Sequence, residues 1–373
     1  PVLDKRPQFS MVATQTPVQE FVQSQKGIDA VNLEVTAMTT KSFGGMCPRL
    51  IAMTEEERKE FSDPKSVAFK TMLKLRLTCC EKRTTPEQID TDPNAVRASE
   101  ARHVAQDFKR GRHEDPENTH APVPEAAVFR LMIAAHPIQD WEISTTDVRN
   151  AYLQGNAFLY NPLKPKRGQW IAVRYLCPLT NEWQFMWMTE EIYGRQPAGH
   201  NWHETFAEKQ ALIGMHECAN AKSVYVSTDG KVKQATHVDD PITFSRRSPS
   251  GIDNPADSAK LQYYAKLAEQ LELKEQVTLG KTQDMDYLST RVSISPDDEV
   301  CLSNAKYLFG LIPRKGMIGC NPTLTPISKD MLKLVAAEAE LGHFLDATGR
   351  LECQGDVGAL HWAAHTFSPK LAT

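Results

Sequence analysis

The stretch QATHVDDPIT, residues 234–243, places two adjacent carboxylates, Asp239 and Asp240, between two apolar, strand-like runs. This pattern predicts a hairpin with the two aspartates at its tip. Adjacent like charges repel each other, and hairpin turns usually prefer Asn-Gly or Asp-Gly. A Val-Asp-Asp turn therefore indicates either a pair of solvated turn aspartates or carboxylates that share a bound cation.

A third carboxylate, Asp147, occupies a matching position. It follows the strand-like segment WEISTT (141–146) and precedes VRNAYLQG (148–155). Three carboxylates brought together are costly unless a cation lies among them, and such oxygen ligands suit Mg²⁺ or Mn²⁺. Two ions of this kind can bind the attacking and leaving oxygens of a phosphoryl transfer. From spacing alone, a two-metal site and solvated turn aspartates remain equal alternatives.

The composition is that of an ordinary globular protein. Of the 373 residues, 41% are hydrophobic and 24% charged. No run of 18 apolar residues occurs, so we expect no membrane span. The net charge of -4 and the pI of about 6.3 argue mildly against a nucleic-acid binder. Eight scattered cysteines without a CxxC motif are typical of reduced intracellular thiols.

The apolar periodicity predicts antiparallel hairpins with intervening helices, which is an α+β pattern. We expect hairpins over 170–188, 223–238 and 286–303. We expect helices at 53–61, 127–138, 200–215, 258–273, 305–316, 329–342 and 358–367, with the helix at 127–138 buried. Residues 1–52 lack clear periodicity and are predicted to form a loosely ordered arm.

Seven motifs, in order, resemble those of the reverse transcriptases of Ty1/copia-type retrotransposons and, more loosely, other right-hand polymerases. The motifs are EARHVAQDF (100–108) followed by THAPV and Arg130, TTDVRNAYLQG (145–155), EIYGRQPAGHNW (191–202), QATHVDD (234–240), DYLSTRVS (286–293), CLSNAKYL (301–308) and GCNPTLTPI (319–327). Each motif alone is a weak signal, and their shared order makes the resemblance specific.

The resemblance implies a right-hand polymerase with an antiparallel palm sheet packed on helices. Residues 53–302 would form the interleaved fingers and palm. Residues 303–373 would form thumb-like or connection helices, truncated before any ribonuclease H domain. The implied activity is RNA-directed DNA polymerisation from dNTPs on a primed RNA or DNA template, with two Mg²⁺ or Mn²⁺ ions. The implied location is intracellular, in a cytoplasmic particle or the nucleus, without a membrane partner; the oligomeric state is left open.

The resemblance also implies roles for individual residues. Asp147 and Asp239 would ligate the metal ions together with the backbone carbonyl of Val148, and Asp240 would be the weaker third acid. Tyr152 would exclude a 2′-OH. The residues expected to contact the nucleotide are Arg102, Tyr152, Gly194 and Lys274, with Lys281 as the alternative lysine. The residues expected to contact template or primer are Gln196, Trp202 and Tyr287.

Some positions depart from the family pattern. Glu100 stands where the family usually has a lysine beside the triphosphate, and Ser289 replaces a glycine next to the primer grip. Together with the acidic pI, these departures favour an alternative function. In that alternative the chain is a decayed, catalytically inactive retroelement copy that acts only as a nucleic-acid-binding module.

Overall fold

The computed structural model describes residues 13–40, 48–83, 96–107, 120–155, 170–248, 257–288 and 290–305, together with positions 349 and 354–355. The chain divides into two compact units. One comprises Gln8–Leu288 and Ser293–Val300, and the other comprises Pro1–Pro7, Ser289–Val292 and Cys301–Thr373. The candidate site lies within the first unit.

Helices and strands alternate along the described chain. The helices are α1 (Val18–Phe21), α2 (Gln25–Thr39), α3 (Glu55–Ser62), α4 (Val67–Thr71), α5 (Ala126–Ala135), α6 (Ala198–Leu212) and α7 (Ala259–Gln270), with a 3₁₀ turn at Ala151–Gln154. The strands are β1 (Ala13–Thr16), β2 (Leu50–Ala52), β3 (Leu73–Arg83), β4 (Val96–Ala105), β5 (Trp141–Thr145), β6 (Ile171–Leu176), β7 (Trp183–Met188), β8 (Met215–Cys218), β9 (Ala221–Ser227), β10 (Val232–His237), β11 (Asp240–Arg246), β12 (Val277–Thr278), β13 (Met285–Tyr287), β14 (Thr290–Ile294) and β15 (Val300–Ser303).

Sheet 1 has the strand order β12-β5-β11-β10-β9-β8, with every neighbouring pair antiparallel. Helices α6 and α7 cover it through a cluster of large apolar side chains, among them Trp202, Phe206, Tyr225, Tyr263 and Leu267. The central strand β11 is buried from position 241 to 245. The ends of β5, β10 and β11 therefore meet on a rigid, well-packed support.

Sheet 2 has the strand order β1-β3-β6-β7-β2, and β4 pairs with β3 as an edge strand. Strands β3 and β6 are parallel, and the other pairs are antiparallel. One apolar cluster involving this sheet includes Leu75, Val173 and Met186. Another joins Phe185 and Trp187 to Phe61 of α3. This sheet positions Arg102, which lies on β4.

The prediction of a loosely ordered arm is wrong for residues 13–40. Strand β1 pairs with β3, and Phe21 and Val31 are 1% and 0% exposed in a cluster with Cys79 and Ala101. The Ser24 side chain accepts a hydrogen bond from Gly27 N–H and caps α2. The buried positions of α2 include a glycine and an alanine, and such small residues give little hydrophobic contrast in the sequence.

Most of the predicted local structure is confirmed. The hairpins β6–β7, β9–β10 and β10–β11 form in register, and a Thr54–Glu57 capping box begins α3. The helix predicted at 127–138 ends as expected before Pro137, but it is not buried, because Leu131 is 68% exposed. The mixed helix-and-sheet class with antiparallel sheets is therefore confirmed.

Some predictions concern residues outside the described ranges. The helices expected at 305–316, 329–342 and 358–367 lie outside the described residues, and the proposed limits of fingers, palm and thumb stay predictions. Among the residues that are described, no helix has the length and apolar character needed to cross a bilayer.

Candidate active site

The turn between β10 and β11 has an unusual backbone. His237 and Asp240 are register partners, so Val238 and Asp239 form a two-residue loop. Val238 has φ +58°, in the left-handed region where glycine is usual and a β-branched residue is strained. Such strain persists only where the surroundings hold the backbone in place.

Two hydrogen bonds hold this turn from distant parts of the chain. The Trp202 indole N–H of α6 donates to the Val238 carbonyl oxygen at 2.8 Å. The Val148 backbone N–H donates to the Asp239 carbonyl oxygen at 2.9 Å. Trp202 is 2% exposed and Val148 0% exposed, so both donors are shielded from water. The carbonyls of two consecutive turn residues are therefore fixed by buried donors.

Asp147 lies next to this turn because β5 and β11 are neighbours in sheet 1. Ile242 and Thr145 are register partners, so the chain leaves β5 beside the start of β11. The Lys274 backbone N–H donates to the Asp147 carbonyl oxygen at 2.8 Å, and the Thr146 hydroxyl donates to the Lys274 carbonyl oxygen at 2.9 Å. Asp147 and Lys274 are thereby paired through their backbones as well as their side chains.

The charges at this end of sheet 1 oppose each other. Burial and the Asp147 carboxylate raise the pKa of Asp239. Burial, Asp239 and Asp147 raise the pKa of Asp240 to about 6. The Lys274 ammonium lies 2.7 Å from the Asp147 carboxylate and partly offsets this repulsion. A carboxyl group whose ionised form is disfavoured by other carboxylates gains from a nearby cation.

A divalent cation fits the chemistry of these side chains. Asp147 and Asp239 line one cleft of about 330 Å³ with Lys274. Within the described ranges, no three Asp, Glu, His or Cys side chains form a group able to hold a metal ion. The donors available to a cation are thus two carboxylates at neighbouring strand ends, with raised pKa at Asp239, and hard oxygen donors of this type suit Mg²⁺ or Mn²⁺.

Arg102 brings positive charge to the same cleft. Its guanidinium lies 5.4 Å from the centre of the Tyr193 ring, and its side chain is 48% exposed. The Glu100 carboxylate lies 3.6 Å from the guanidinium. The acid that replaces the usual lysine of the family therefore pairs with the arginine expected to contact the nucleotide.

Aromatic rings stand beside the two carboxylates. The Tyr152 ring follows Asp147 in the 3₁₀ turn and meets the Tyr193 ring at a centroid distance of 5.0 Å and an angle of 69°. Burial raises the pKa of Tyr193 to about 12 and also raises that of Tyr152, with Asp239 contributing to both shifts. Both phenols are therefore neutral at physiological pH.

Two parts of the cleft were not predicted from the sequence. Tyr193 lines it, and one wall is formed by Ala30, Leu33, Glu34 and Ala37 of α2. The Glu34 carboxylate accepts a hydrogen bond from the His103 backbone N–H at 2.7 Å, which ties α2 to β4. Positions 30, 33, 34 and 37 share one helix face, but two of them are alanine and one is glutamate, so the hydrophobic pattern gave only a weak signal for this wall.

The structure gives Gly194 a role in backbone packing, whereas the sequence predicted contact with the nucleotide. Its φ is +85°, and a Cβ there would lie 2.4 Å from the Ala105 carbonyl oxygen and 2.6 Å from the Val104 side chain. The Tyr193 carbonyl accepts a hydrogen bond from Ala105 N–H at 2.7 Å. The glycine is therefore required for close packing against β4, whether or not a nucleotide is bound.

Three residues expected to contact template or primer do not line this cleft. Trp202 and Tyr287 are 2% and 3% exposed, and the Tyr287 ring packs 5.0 Å from that of Phe129. The Gln196 backbone N–H donates to the Asp107 carboxylate at 3.3 Å. For Trp202 and Tyr287 direct contact with nucleic acid is a wrong expectation, because their rings are core side chains.

The choice between the two candidate lysines is clear from their partners. Lys274 lines the cleft beside Asp147, whereas the Lys281 ammonium lies 2.6 Å from the carboxylate of Asp298 on an exposed turn. Of these two lysines, Lys274 is the one that lines the cleft.

The fold and the site define an α+β protein with an acidic cleft, suited to a cation, at the ends of the inner strands of an antiparallel sheet. The family model for reverse transcriptase (RNA-dependent DNA polymerase) matches residues 87–329. The chain belongs to this family, and its resemblance to copia-type elements is confirmed.

Two retrovirus-related Pol polyproteins of Arabidopsis thaliana are similar to the chain, those from transposons RE1 and RE2. They are 24% and 22% identical over 270 residues, or 71% of this chain. The chain spans only 16% of the length of either polyprotein.

Among solved structures, two telomerases are similar. Telomerase from Candida albicans, in complex with a fragment of telomeric RNA, has a TM-score of 0.38 and 9% identity, over 78% of this chain and 55% of that one. Apo telomerase from Candida tropicalis truncated from the C-terminal domain has a TM-score of 0.36 and 7% identity, over 68% of this chain and 57% of that one.

Proposed function

We propose that the chain is the polymerase core of a copia-like retroelement, an intracellular RNA-directed DNA polymerase with a fingers-palm-thumb fold. Its substrates are dNTPs and a primer annealed to an RNA or DNA template. The reaction joins the primer 3′-oxygen to the α-phosphorus, breaks the bond to pyrophosphate and releases the hydroxyl proton. Sheet 1 is the palm in this proposal, and sheet 2 belongs to the fingers.

One observation carries the proposal: the 2.9 Å hydrogen bond from Val148 N–H to the Asp239 carbonyl. It joins the end of β5 to the β10–β11 turn and brings the carboxylates of Asp147 and Asp239 to one cleft. Divalent ions held by these two residues and the Val148 carbonyl would stabilise the attacking and leaving oxygens. Asp240 adds negative charge behind them, which strengthens the attraction for the cations.

Other residues in and beside the cleft supply positioning and charge. Arg102 offers a planar donor fork to the triphosphate, once the guanidinium leaves Glu100. Lys274, whose ammonium lies 2.7 Å from the Asp147 carboxylate, would offer positive charge to the leaving phosphates. The Tyr152 ring, held against Tyr193, restricts space at the sugar and selects against a 2′-OH. Phosphoryl transfer depends mainly on such positioning and charge compensation.

Primer extension on poly(rA)/oligo(dT) with Mg²⁺ or Mn²⁺ tests this function. The Asp239→Asn/Asp240→Asn double variant should lose extension. Asp298→Asn is the matched control, because Asp298 is a partly exposed turn aspartate outside the cleft. Extension by the parent and the control, with none by the double variant, supports the proposal. Equal extension by all three proteins would contradict it.

The second candidate function is a catalytically inactive module that binds a primer–template hybrid. The 3.6 Å pair between Glu100 and Arg102 favours it, because the carboxylate competes with a triphosphate for the guanidinium. This alternative predicts salt-sensitive binding of the hybrid with no extension in either metal. The variant Glu100→Lys distinguishes weakened nucleotide binding from lost chemistry. If Glu100 only weakens nucleotide binding, this variant should have a lower KM for dNTP; if the chemistry is lost, it should show no extension.

A further inference from the structure

Arg49 is a buried cation for which the sequence predicted no role. It immediately precedes β2 and is 7% exposed. A guanidinium removed from water is costly unless hydrogen-bond acceptors or an opposite charge replace the solvent. The partners of this side chain therefore indicate which parts of the fold it joins.

The Arg49 guanidinium donates to two backbone carbonyls from distant segments. Its Nε donates to the Leu153 carbonyl oxygen at 2.9 Å, and its Nη1 donates to the Ala37 carbonyl oxygen at 2.8 Å. The Nε also lies 3.5 Å from the carboxylate of Glu190, which is 2% exposed. One side chain thus joins α2 to the 3₁₀ turn, and a buried carboxylate balances its charge.

Both carbonyl acceptors lie near the C-terminal end of a helical segment. Ala37 is in the last turn of α2, and Leu153 is the next-to-last residue of the 3₁₀ turn. The last carbonyls of a helix lack intrahelical donors and carry partial negative charge, which favours a cation there. A planar guanidinium suits two such acceptors at once, because its N–H groups point in fixed and different directions.

The two joined segments both border the cleft, although Arg49 itself does not line it. Ala37 lines the cleft from α2, and Asn150 lines it immediately before the 3₁₀ turn. The turn carries Tyr152, whose ring meets the ring of cleft-lining Tyr193. Arg49 therefore supports the cleft from behind, through backbone atoms of its surroundings.

Other hydrogen bonds hold each segment separately. The Gln154 side chain donates to the Glu272 carbonyl oxygen at 3.1 Å and accepts from the Glu272 N–H at 2.7 Å, which fixes the turn to the chain before β12. The Glu34 carboxylate fixes α2 to β4 at His103. These bonds do not join the turn to α2, whereas the Arg49 guanidinium does.

We propose that Arg49 is a positioning residue for selection of the sugar of the incoming nucleotide. By joining α2 to the 3₁₀ turn, it fixes the place of the Tyr152 ring relative to the α2 wall of the cleft. Without this link the turn is freer, the ring can withdraw, and a 2′-OH is excluded less well. The inference rests on the proposed function, in which Tyr152 excludes a 2′-OH. A purely structural arginine would stabilise the protein without changing the choice of sugar.

Primer extension on poly(rA)/oligo(dT) with dTTP or UTP measures the choice of sugar. The value of kcat/KM for dTTP divided by that for UTP is the sugar discrimination, and the division cancels any change in the folded fraction. Arg49→Met removes the donors and the charge, and Arg49→Lys keeps the charge without the planar fork. Arg49→Met/Glu190→Gln serves where Arg49→Met fails to fold, because it does not leave the buried Glu190 charge facing a neutral side chain.

Arg247 provides the matched control. Its Nε donates to the Ile138 carbonyl oxygen at 2.7 Å, and its Nη1 lies 3.3 Å from the Glu142 carboxylate, which repeats the carbonyl and carboxylate contacts of Arg49. It follows β11 at the end opposite to Asp240. Arg247→Met should therefore keep the sugar discrimination of the parent.

We expect Arg49→Met to lower the sugar discrimination about tenfold and Arg49→Lys to restore part of it, because small displacements of a positioning group are costly. Glu190→Gln should keep the parent's ratio, since both carbonyl hydrogen bonds of Arg49 remain. An unchanged ratio in Arg49→Met and in the double variant, or an equal loss in Arg247→Met, would overturn the proposal.

Hydrogen exchange of the chain without nucleotide separates this inference from the proposed function. Arg49→Met should speed the exchange of backbone amides in α2 and in the 3₁₀ turn about tenfold, whereas Arg247→Met should leave both segments unchanged. Unchanged protection of both segments in Arg49→Met would refute the link, whatever the extension assay shows. A parent that lacks extension but shows the expected exchange refutes the polymerase, and with it the selection of sugar, and retains Arg49 as the link between the two segments.

Discussion

The two ends of strand β10 carry turns of opposite character. At one end, Gly230 has φ +70°, and the Asp229 carboxylate accepts hydrogen bonds from the Ser227 hydroxyl at 2.7 Å and the Lys231 backbone N–H at 3.1 Å. These hydrogen bonds lower the pKa of Asp229. At the other end, Val238 has φ +58°, and burial and Asp147 raise the pKa of Asp239.

The difference separates a turn stabilised by its own neighbours from the turn to which the proposed function assigns the chemistry. The Asp229–Gly230 turn is satisfied by its own neighbours in sequence, which makes it locally stable. The Val238–Asp239 turn gathers negative charge and is held by Trp202 and Val148, 36 and 91 positions away. Its conformation therefore depends on the rest of the fold. Strain and a raised carboxyl pKa at one turn of a hairpin sheet are typical of a functional site.

The largest effect should come from removing the charge at each turn separately. We expect Asp239→Asn to lower the rate of primer extension about 10³-fold, because in the proposed function Asp239 holds a metal ion, and such a ligand is worth several kcal/mol in the transition state. Asp229→Asn should leave the rate within about twofold, since that side chain only caps its own turn. Steady-state extension assays measure both. Similar rates for the two variants would remove the functional distinction between the turns.

A smaller effect is expected from the donors that support each turn. Trp202→Phe keeps a buried ring but leaves the Val238 carbonyl without its donor, which should cost about 1–3 kcal/mol of stability. Because the turn carries Asp239, kcat should fall while the KM for dNTP changes little. Ser227→Ala at the other turn should cost about 1 kcal/mol and leave kcat unchanged.

Urea unfolding and initial-rate kinetics check this pair of variants. A purely structural role for Trp202 predicts the same kcat per folded molecule in both. In that case the indole would stabilise the fold without positioning the carboxylates.

The pH dependence of stability should have opposite signs at the two turns. Because the pKa of Asp240 is raised to about 6, the folded state holds a proton that the unfolded chain releases near pH 4, and stability falls as pH rises between these values. Asp240→Asn should therefore stabilise the metal-free protein at pH 7 by about 1–2 kcal/mol, after allowance for solvent screening. This gain should disappear below about pH 4.

Asp229→Asn should show the reverse. The lowered pKa of Asp229 means that its ionised form stabilises the folded state above the ordinary aspartate pKa and that this contribution is lost as pH falls. Denaturant melts of both variants at pH 7, at pH 4 and at about pH 2 measure the two signs, because the Asp229 contribution is lost only below the ordinary aspartate pKa. The same sign in both variants would contradict the comparison.

The part of the site that lies in continuous sequence was predictable. The Val-Asp-Asp turn, the strand before Asp147 and the hairpins follow from periodicity and turn residues, which act locally. The role of α2 as a cleft wall could not be predicted from the sequence, because Gly27 and Ala30 weaken its hydrophobic pattern. The burial of Trp202 and Tyr287 could not be predicted either, since the sequence of a motif does not show whether an aromatic ring faces solvent or the core.

The choice of Lys274 over Lys281 also needed the structure. It depends on backbone hydrogen bonds that join Lys274 to Thr146 and Asp147 across more than a hundred positions. Pairings of this kind are set by the packing of sheet 1 as a whole. No local pattern distinguishes one exposed lysine from another.

The last pair of variants concerns the backbone itself. Gly230→Ala places a Cβ at φ +70° with no atom within 4 Å, so only backbone strain opposes it, and we expect a loss of about 1–2 kcal/mol. Val238→Gly relieves similar strain at φ +58° but adds unfolded-state entropy and loses packing, so its net effect should be below about 1 kcal/mol. Activity should nevertheless fall in Val238→Gly alone, because a freer backbone no longer fixes Asp239. Thermal melts and extension rates of the two variants measure this. A large stability loss in Val238→Gly with unchanged activity would mean that Val238 serves packing rather than the position of the carboxylates.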